Sequence, residues 1–227
     1  MYVIIASQVD DDAAHLASQL PEEEFRILTP SDLSRPGWSV VSGNDADSTF
    51  VAAGQQYQSR ELRGVLCRLP CVFAPELVQI SEQDREYVAS EMTAFLRYWL
   101  FTLACPVLNP PTAGCLSGPN WRREQWNQAA RDAGLRTQTL SRSTTGDGAS
   151  VPPTGSVTLI GQRPLGECPA ALLDASRALC ARAGVSLLSI TFREDPANGF
   201  VFQGADTFPP LAGSRAAQLV VEHFQAR

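Results

Sequence analysis

The sequence predicts an α/β protein with an N-terminal Rossmann-like domain built on a parallel sheet, followed by a shorter α/β region. Three observations carry this. Short apolar runs at Tyr2–Ala6, Phe25–Thr29 and Gly64–Leu69 read as buried strands. Val88, Met92, Phe95, Trp99 and Leu103 recur at helical spacing after the third run. The strand–helix–strand alternation that results implies parallel strands joined by crossover helices.

Tyr2–Ala6 opens the chain as the first strand. Asp10, Asp11 and Asp12 cap a helix that runs through Leu16 to Leu20. Phe25–Thr29 is the second strand, and Pro30-Ser31-Asp32-Leu33 turns the chain. Ser39–Ser42 and Thr49–Ala53 read as a weak hairpin across Gly43-Asn44-Asp45. Gly64–Leu69 is the third strand. The long helix spans about 82 to 103, with Ser81 and Asp84 as cap and first-turn residues, Asp84-Arg85-Glu86 as a solvated charged face, and Leu96 and Leu100 beside the stripe. Pro106–Leu108 is a short strand. A helix from Trp121 to Ala133 ends at Gly134, and Leu135–Leu140 is a strand. The segment 141–155 is small and polar, as a linker is. Val157–Ile160, a helix from Pro169 to Ala183 and a strand Ser186–Phe192 read as a further β–α–β unit. A strand at Gly199–Gln203 and a helix at Ala216–Phe224 close the chain. These elements divide into domains 1–112 and 113–227.

Composition narrows the chemistry. All 18 basic residues are arginine; no lysine occurs among the 227 residues. A P-loop, a Schiff-base enzyme or a kinase-like clamp uses a lysine ammonium, which a guanidinium replaces poorly. The net charge of −6 and the lack of any basic run argue against nucleic acid. The start, MYVIIASQVDDD, lacks the basic flank and cleavage site of a signal peptide. The longest apolar stretch, near Tyr98 to Leu108, is too short and interrupted for a bilayer, so neither membrane contact nor export is expected and a cytoplasmic location is. Cys67, Cys71, Cys105, Cys115, Cys168 and Cys180 are scattered, without a C-x-x-C pair, and only His15 and His223 could join them at a metal. They read as reduced, mostly buried thiols. His15 and His223 sit in predicted helices as surface or edge residues rather than catalytic bases. Gly114-Cys115-Leu116-Ser117-Gly118 reads as a turn in preference to an anion-binding loop.

Several short segments, taken in order, resemble the ATP-grasp ligases, in particular the branch that matures ribosomally made peptides such as the microviridins. These are Ile4-Ile5-Ala6-Ser7 with Asp10 to His15, Ser31-Asp32-Leu33, Arg68-Leu69-Pro70 at the end of the third strand, Val107-Leu108-Asn109-Pro110, and Gln125, Ala129 and Gly134-Leu135 on the following helix. Arg122 stands where that family places a lysine. Near the end, Ser189-Ile190-Thr191-Phe192-Arg193, Gly199 and Phe202-Gln203-Gly204-Ala205-Asp206 resemble the family's two metal-holding strands. The resemblance implies a pre-ATP-grasp domain followed by a short ATP-grasp remnant.

The resemblance also implies a loss. Thr191 stands where the family carries aspartate, Gly204 where it carries glutamate, and Asp206 where it carries asparagine, while Arg193 matches. The subdomain that closes over adenine and supplies lysines would fall in the interval taken by the linker. Magnesium needs several hard oxygen ligands and a triphosphate needs counter-charge. The expectation is a catalytically degenerate relative with no catalytic, cofactor or metal residues. It would act as a binding or scaffold partner of a precursor peptide, an intact ligase or another modifying enzyme, and it could form a homodimer. Trp121, Arg122, Arg123 and Trp126 are the candidate partner contacts, since Trp and Arg are favoured anchors. The alternatives are an active carboxylate–amine ligase using ATP and magnesium, with Arg142 and Arg163 flanking the gap as counter-charges, or a cleft reused for other chemistry.

Overall fold

A computed structural model describes residues 1–21, 23–43, 45–138, 152–195 and 199–226. The contacts divide the chain into two units, Met1–Pro119 with Pro210–Arg227, and Asn120–Pro209.

The first unit is built on four short strands. Apolar residues of β1 (Tyr2–Ile5) are buried on both faces, as a central parallel strand requires. Helix α1 (Asp11–Ser18) follows, and its N-cap Asp10 accepts from the Ala13 N–H at 2.9 Å. β2 (Phe25–Leu28) then pairs parallel to β1. The next pairing is a hairpin of β3 (Thr49–Ala52) and β4 (Gln55–Gln58). It turns at Ala53-Gly54, both at positive φ, the backbone that a tight hairpin demands. This differs from the expected hairpin of Ser39–Ser42 with Thr49–Ala53, of which only a single Ser39–Thr49 bridge exists. The reason lies in Asp32. Its buried carboxylate accepts from the Gly54 and Thr29 N–H groups and so pins the β3–β4 turn to the turn after β2.

β5 (Gly64–Cys67) pairs parallel with β1, and α2 (Arg85–Thr102) leads to β6 (Val107–Leu108), giving the parallel order β2-β1-β5-β6. The buried side of α2 is Ala89, Thr93, Leu96 and Leu100 with Trp99. It is turned by about one residue from the expected stripe, so that Val88, Met92 and Phe95 flank the core at half burial. Trp99 is fully buried and packs on Phe50 and edge-on to Trp38.

The second unit opens with α3 (Arg123–Asp132), closed by Gly134 at φ 87°. The sheet order is β7 (Arg136–Thr137), β11 (Gly199–Asp206), β10 (Leu187–Asp195), β8 (Gly155–Ile160) and β9 (Arg163–Leu165). α4 (Ala170–Ala183) precedes β10 and is capped by left-handed Gly184. The expected β–α–β unit here is corrected. β8 folds back on β9 through Gly161, so the chain enters α4 reversed and β10 returns antiparallel to β8. The core lies where Trp126, Ala130, Leu159, Leu179, Leu188, Ile190 and Phe202 meet. The linker expected at 141–155 and the end of the strand expected at Leu135–Leu140 fall mostly outside the described residues, Arg142 with them.

The last helix, α5 (Ser214–Gln225), returns to the first unit. Phe224 stacks on Tyr2 and lies over Gly64. The division therefore differs from 1–112 and 113–227: the first unit runs on through Pro119 and reclaims the C-terminal helix, because the apolar side of that helix is buried against the first strands.

Candidate functional site

The positions singled out on the two last long strands come together. β10 and β11 pair in register so that Thr191 faces Gly204 and Ser189 faces Asp206. Residues directly opposite one another in a sheet share a face, and here that face is turned away from the Ile190 and Phe202 core. The Thr191 hydroxyl donates to the Gly204 carbonyl at 3.2 Å. The Thr158 hydroxyl of β8 donates to Ser189 at 3.1 Å. Asp206 Oδ1 accepts from the Phe208 N–H at 2.8 Å and so holds its own turn.

This donor set does not fit magnesium. Three hydroxyls are engaged, Thr158 with Ser189 and Thr191 with backbone, position 204 has no side chain, and one carboxylate is engaged locally, whereas the ion needs several oxygen ligands. Among the described residues no group of three or more His, Cys, Asp and Glu is placed to hold a metal. The glycine is not a packing necessity: an added Cβ would meet only the Thr191 Oγ1 at 3.4 Å, an ordinary contact.

A register shift between Thr191 and Phe192 carries the strands on to Arg193, which faces Val201. The Arg193 guanidinium lies 3.8 Å from Asp195 and is a quarter exposed. It lines an open cleft of about 490 Å³ with Arg131, Arg136, Gln138 and Asp195. Arg131 is tethered by a hydrogen bond to Thr137 at 3.3 Å. Three guanidinium groups against one carboxylate make this an anion-attracting surface. Arg131, Arg136, Gln138 and Asp195 were not foreseen. The alternation of buried Leu135 with exposed Arg136 was the available signal, and nothing in the sequence said that β7 would lie beside β11.

The tryptophan–arginine segment divides in two. Trp126 is buried in the core, and half-buried Trp121 packs edge-on against it with ring centres 4.8 Å apart. Arg122 and Arg123 are exposed, and the Arg122 N–H is capped by the Gln125 side chain at 2.9 Å. The Gly114–Gly118 segment is a turn in which three N–H groups are already engaged: Leu116 donates to Pro70, Gly118 to Pro110 and Ser117 to the Cys115 sulfur. The Asp84-Arg85-Glu86 face is partly used locally, Asp84 accepting from Ser81 and Arg85 donating to the Ile80 carbonyl.

His15 is exposed in the last turn of α1 and His223 is half-buried in α5. All six cysteines are free; Cys67, Cys115 and Cys180 are buried and the others half-buried. Burial pushes the Cys67 and Cys180 thiols up to about 12. Arg163 lies exposed on β9.

In the first unit, Arg68 at the end of β5 is buried and grips the α1 cap. Its Nε and Nη2 donate to the two Asp10 oxygens at 2.9 and 3.3 Å, with Asp12 at 3.6 Å. Two segments that the resemblance rested on separately, Asp10–His15 and Arg68-Leu69-Pro70, are thus two halves of one contact.

No family model matches the sequence, and no curated protein matches it. Solved structures do match in fold. The macrocyclase MdnC from Microcystis aeruginosa MRC, bound with precursor peptide MdnA, superposes with a TM-score of 0.67 at 12% identity over 97% of this chain and 99% of that one. The ATP-grasp ligase PsnB, complexed with minimal precursor, Mg and ADP, gives 0.69 at 12% identity over 99% and 98%. A RiPP-associated ATP-grasp ligase of Chryseobacterium gregarium, in complex with ADP and a leader and core peptide, gives 0.66 at 10% identity over 99% and 96%. The chain shares the fold of the ATP-grasp superfamily from end to end. No helix among the described residues is long and apolar enough to cross a membrane.

Proposed function

We propose that this protein is an ATP-grasp relative that works by binding, as a partner of a peptide or of a modifying enzyme in peptide maturation, and not by ATP-driven ligation. One observation carries the reading. Where the metal-holding strands of such a ligase would present paired carboxylates, Thr191 and Gly204 face each other, and the threonine hydroxyl is satisfied by the glycine carbonyl. Two further features support it. The sequence offers no lysine for a triphosphate. Only seventeen residues, 138–154, separate β7 from β8, little length for a strand-rich subdomain that covers adenine.

The binding surface lies on the second unit. The cleft at Arg131, Arg136 and Arg193 suits the carboxylates of an acidic peptide, and exposed Arg122 and Arg123 offer further donors. Trp126 is excluded as a direct contact by its burial.

The same three arginines favour a second reading, a ligase in which guanidinium replaces ammonium as phosphate counter-charge. Calorimetric titration and thermal shift with MgATP separate the two. The binding reading expects no heat and no shift in melting temperature. A shift of several degrees, with ADP formed in the presence of a carboxylate peptide, would establish the ligase.

A further inference from the structure

Two cysteines of the first unit lie on chain segments that are bonded to each other. The Leu116 N–H donates to the Pro70 carbonyl at 2.9 Å. That bond joins the peptide group entering Cys71 to the peptide group leaving Cys115. The direction of the two segments follows from the sheet. β6 runs parallel to β5. After β6 the chain reverses at the antiparallel Thr112–Cys115 bridge, and Gly118 donates back to Pro110. Residues 115–118 therefore run antiparallel to the segment that continues β5 through Cys71. In an antiparallel pairing the residues beside such a bond, here Cys71 and Cys115, stand opposite each other with Cα atoms about 4.5–5.5 Å apart. A disulfide joins Cα atoms about 4.4–6.8 Å apart.

We propose that Cys71 and Cys115 are a redox-active pair that a hydroperoxide closes into a disulfide. Cys71 meets the oxidant first, because it is half-buried whereas Cys115 is only 3% exposed. The Cys71 thiolate attacks the peroxide and takes one oxygen as a sulfenic acid. The O–O bond breaks, and the other oxygen leaves protonated as water or an alcohol. The Cys115 sulfur then attacks the Cys71 sulfur. The S–S bond forms, the S–O bond breaks, and the departing hydroxide takes up the Cys115 proton as water. Two thiols lose two electrons and two protons, and the peroxide is reduced by the same amount.

The surroundings suit a pair that rests reduced. Burial pushes the Cys115 thiol up and nearby Cys71 adds to this, while the Arg97 guanidinium opposes both. The buried Nε of Arg97 has no hydrogen-bond partner among the described residues. Burial raises the Cys71 thiol too, so oxidation is slow at neutral pH and quickens as pH rises. Cys67 is fully buried, with its thiol pushed up to about 12, and stays protonated. The Cys115 sulfur accepts from the Ser117 N–H at 3.4 Å, a weak contact that yields to a covalent bond. Closure fastens the turn after β6 to the end of β5 and encloses α2 in a loop of about 45 residues. The inference stands apart from the reading of the nucleotide positions.

Peptide mapping of the oxidised full chain tests it. The chain is treated with a small excess of hydrogen peroxide at about pH 8, where thiolate is more abundant than at neutral pH. The remaining thiols are alkylated, and the chain is unfolded and digested without reductant. Mass spectrometry should find the Cys71 and Cys115 peptides joined, two hydrogens lighter than their sum, with Cys67 unbridged. The oxidised chain should melt roughly 5–15 °C higher, and dithiothreitol should return it to the starting value. Cys71→Ser, at a half-buried position, should fold as wild type and show neither the joined peptides nor the rise. Cys71 recovered as a sulfinic acid without a joined peptide, Cys115 joined to Cys67 instead, or a rise that survives Cys71→Ser would each overturn the inference.

Discussion

Gly64 and Gly204 each sit in a strand, one in either unit, and they are glycine for different reasons. A Cβ at Gly64 would come within 2.4 Å of the Phe224 ring, so the close approach of α5 to β5 forbids any side chain there. A Cβ at Gly204 would meet one threonine oxygen at ordinary distance. The first glycine is dictated by packing and the second is not. In the first unit small residues and buried charges are answered by neighbours: Gly64 by Phe224, Arg68 by Asp10, Asp32 by Gly54. On the open face of the second unit a Cβ at position 204 would find ordinary contact distance. The absence of a side chain there is therefore not imposed by packing.

The two arginines that end the strands of interest should separate most. Arg68 is buried and forked onto Asp10, whereas Arg193 is partly open to solvent with its carboxylate at 3.8 Å. Arg68→Ala leaves the α1 cap carboxylate without its counter-charge and should cost about 3–5 kcal/mol in urea unfolding. Arg193→Ala should cost no more than about 1 kcal/mol, the value of an exposed pair. Equal losses would erase the distinction between the units.

The glycines themselves come next. Gly64→Ala forces Phe224 and α5 to move, which should cost roughly 1–3 kcal/mol as overpacking does. Gly204→Ala should lie within about 0.5 kcal/mol of wild type, since surface-type changes do. The test sharpens further with Thr191→Asp combined with Gly204→Glu. If space at this face is free, the double variant still folds, its melting lowered only by repulsion between the facing carboxylates, and magnesium reverses that loss by binding between them. A double variant that unfolds would mean that the missing carboxylates are a demand of packing after all.

Much of this arrangement was legible in the sequence, and the exceptions have physical causes. The parallel strands were readable because a strand buried on both faces is a continuous apolar run, as in Tyr2–Ile5 and Gly64–Cys67. Thr191 and Gly204 were singled out separately by matching short segments to a family, and their pairing across β10 and β11 emerged only with the register. The β3–β4 hairpin was missed because its turn is Ala53-Gly54, and alanine at positive φ is held there by Asp32, a residue distant in sequence. β9 was missed because Arg163-Pro164-Leu165 has no strand pattern and owes its pairing to β8. The arginine cleft was invisible because the strands that build it meet only in the folded sheet. The return of α5 to the first unit could not be read at all, as an amphipathic helix does not state which core it enters.

One expected effect is shared by the two units and shows only at alkaline pH. Cys67 lies in the first unit and Cys180 in the second, and burial pushes both thiols up to about 12 from 9.0. Each stays protonated in the native chain while the unfolded chain ionises above pH 9. The unfolded state then holds fewer protons, so stability falls as pH rises through 9 and goes on falling until the native thiol itself ionises near 12. By pH 10 each thiol should have cost roughly 1.4 kcal/mol relative to pH 8. The measurement is the difference in unfolding free energy between the two pH values, in wild type and in Cys67→Ala and Cys180→Ala, so that the titration of other groups cancels. Each single substitution should remove about 1.4 kcal/mol of the alkaline loss if both cores exclude water equally. A loss confined to Cys67→Ala would show that the core of the second unit admits water, and that the openness of its outer face extends inward.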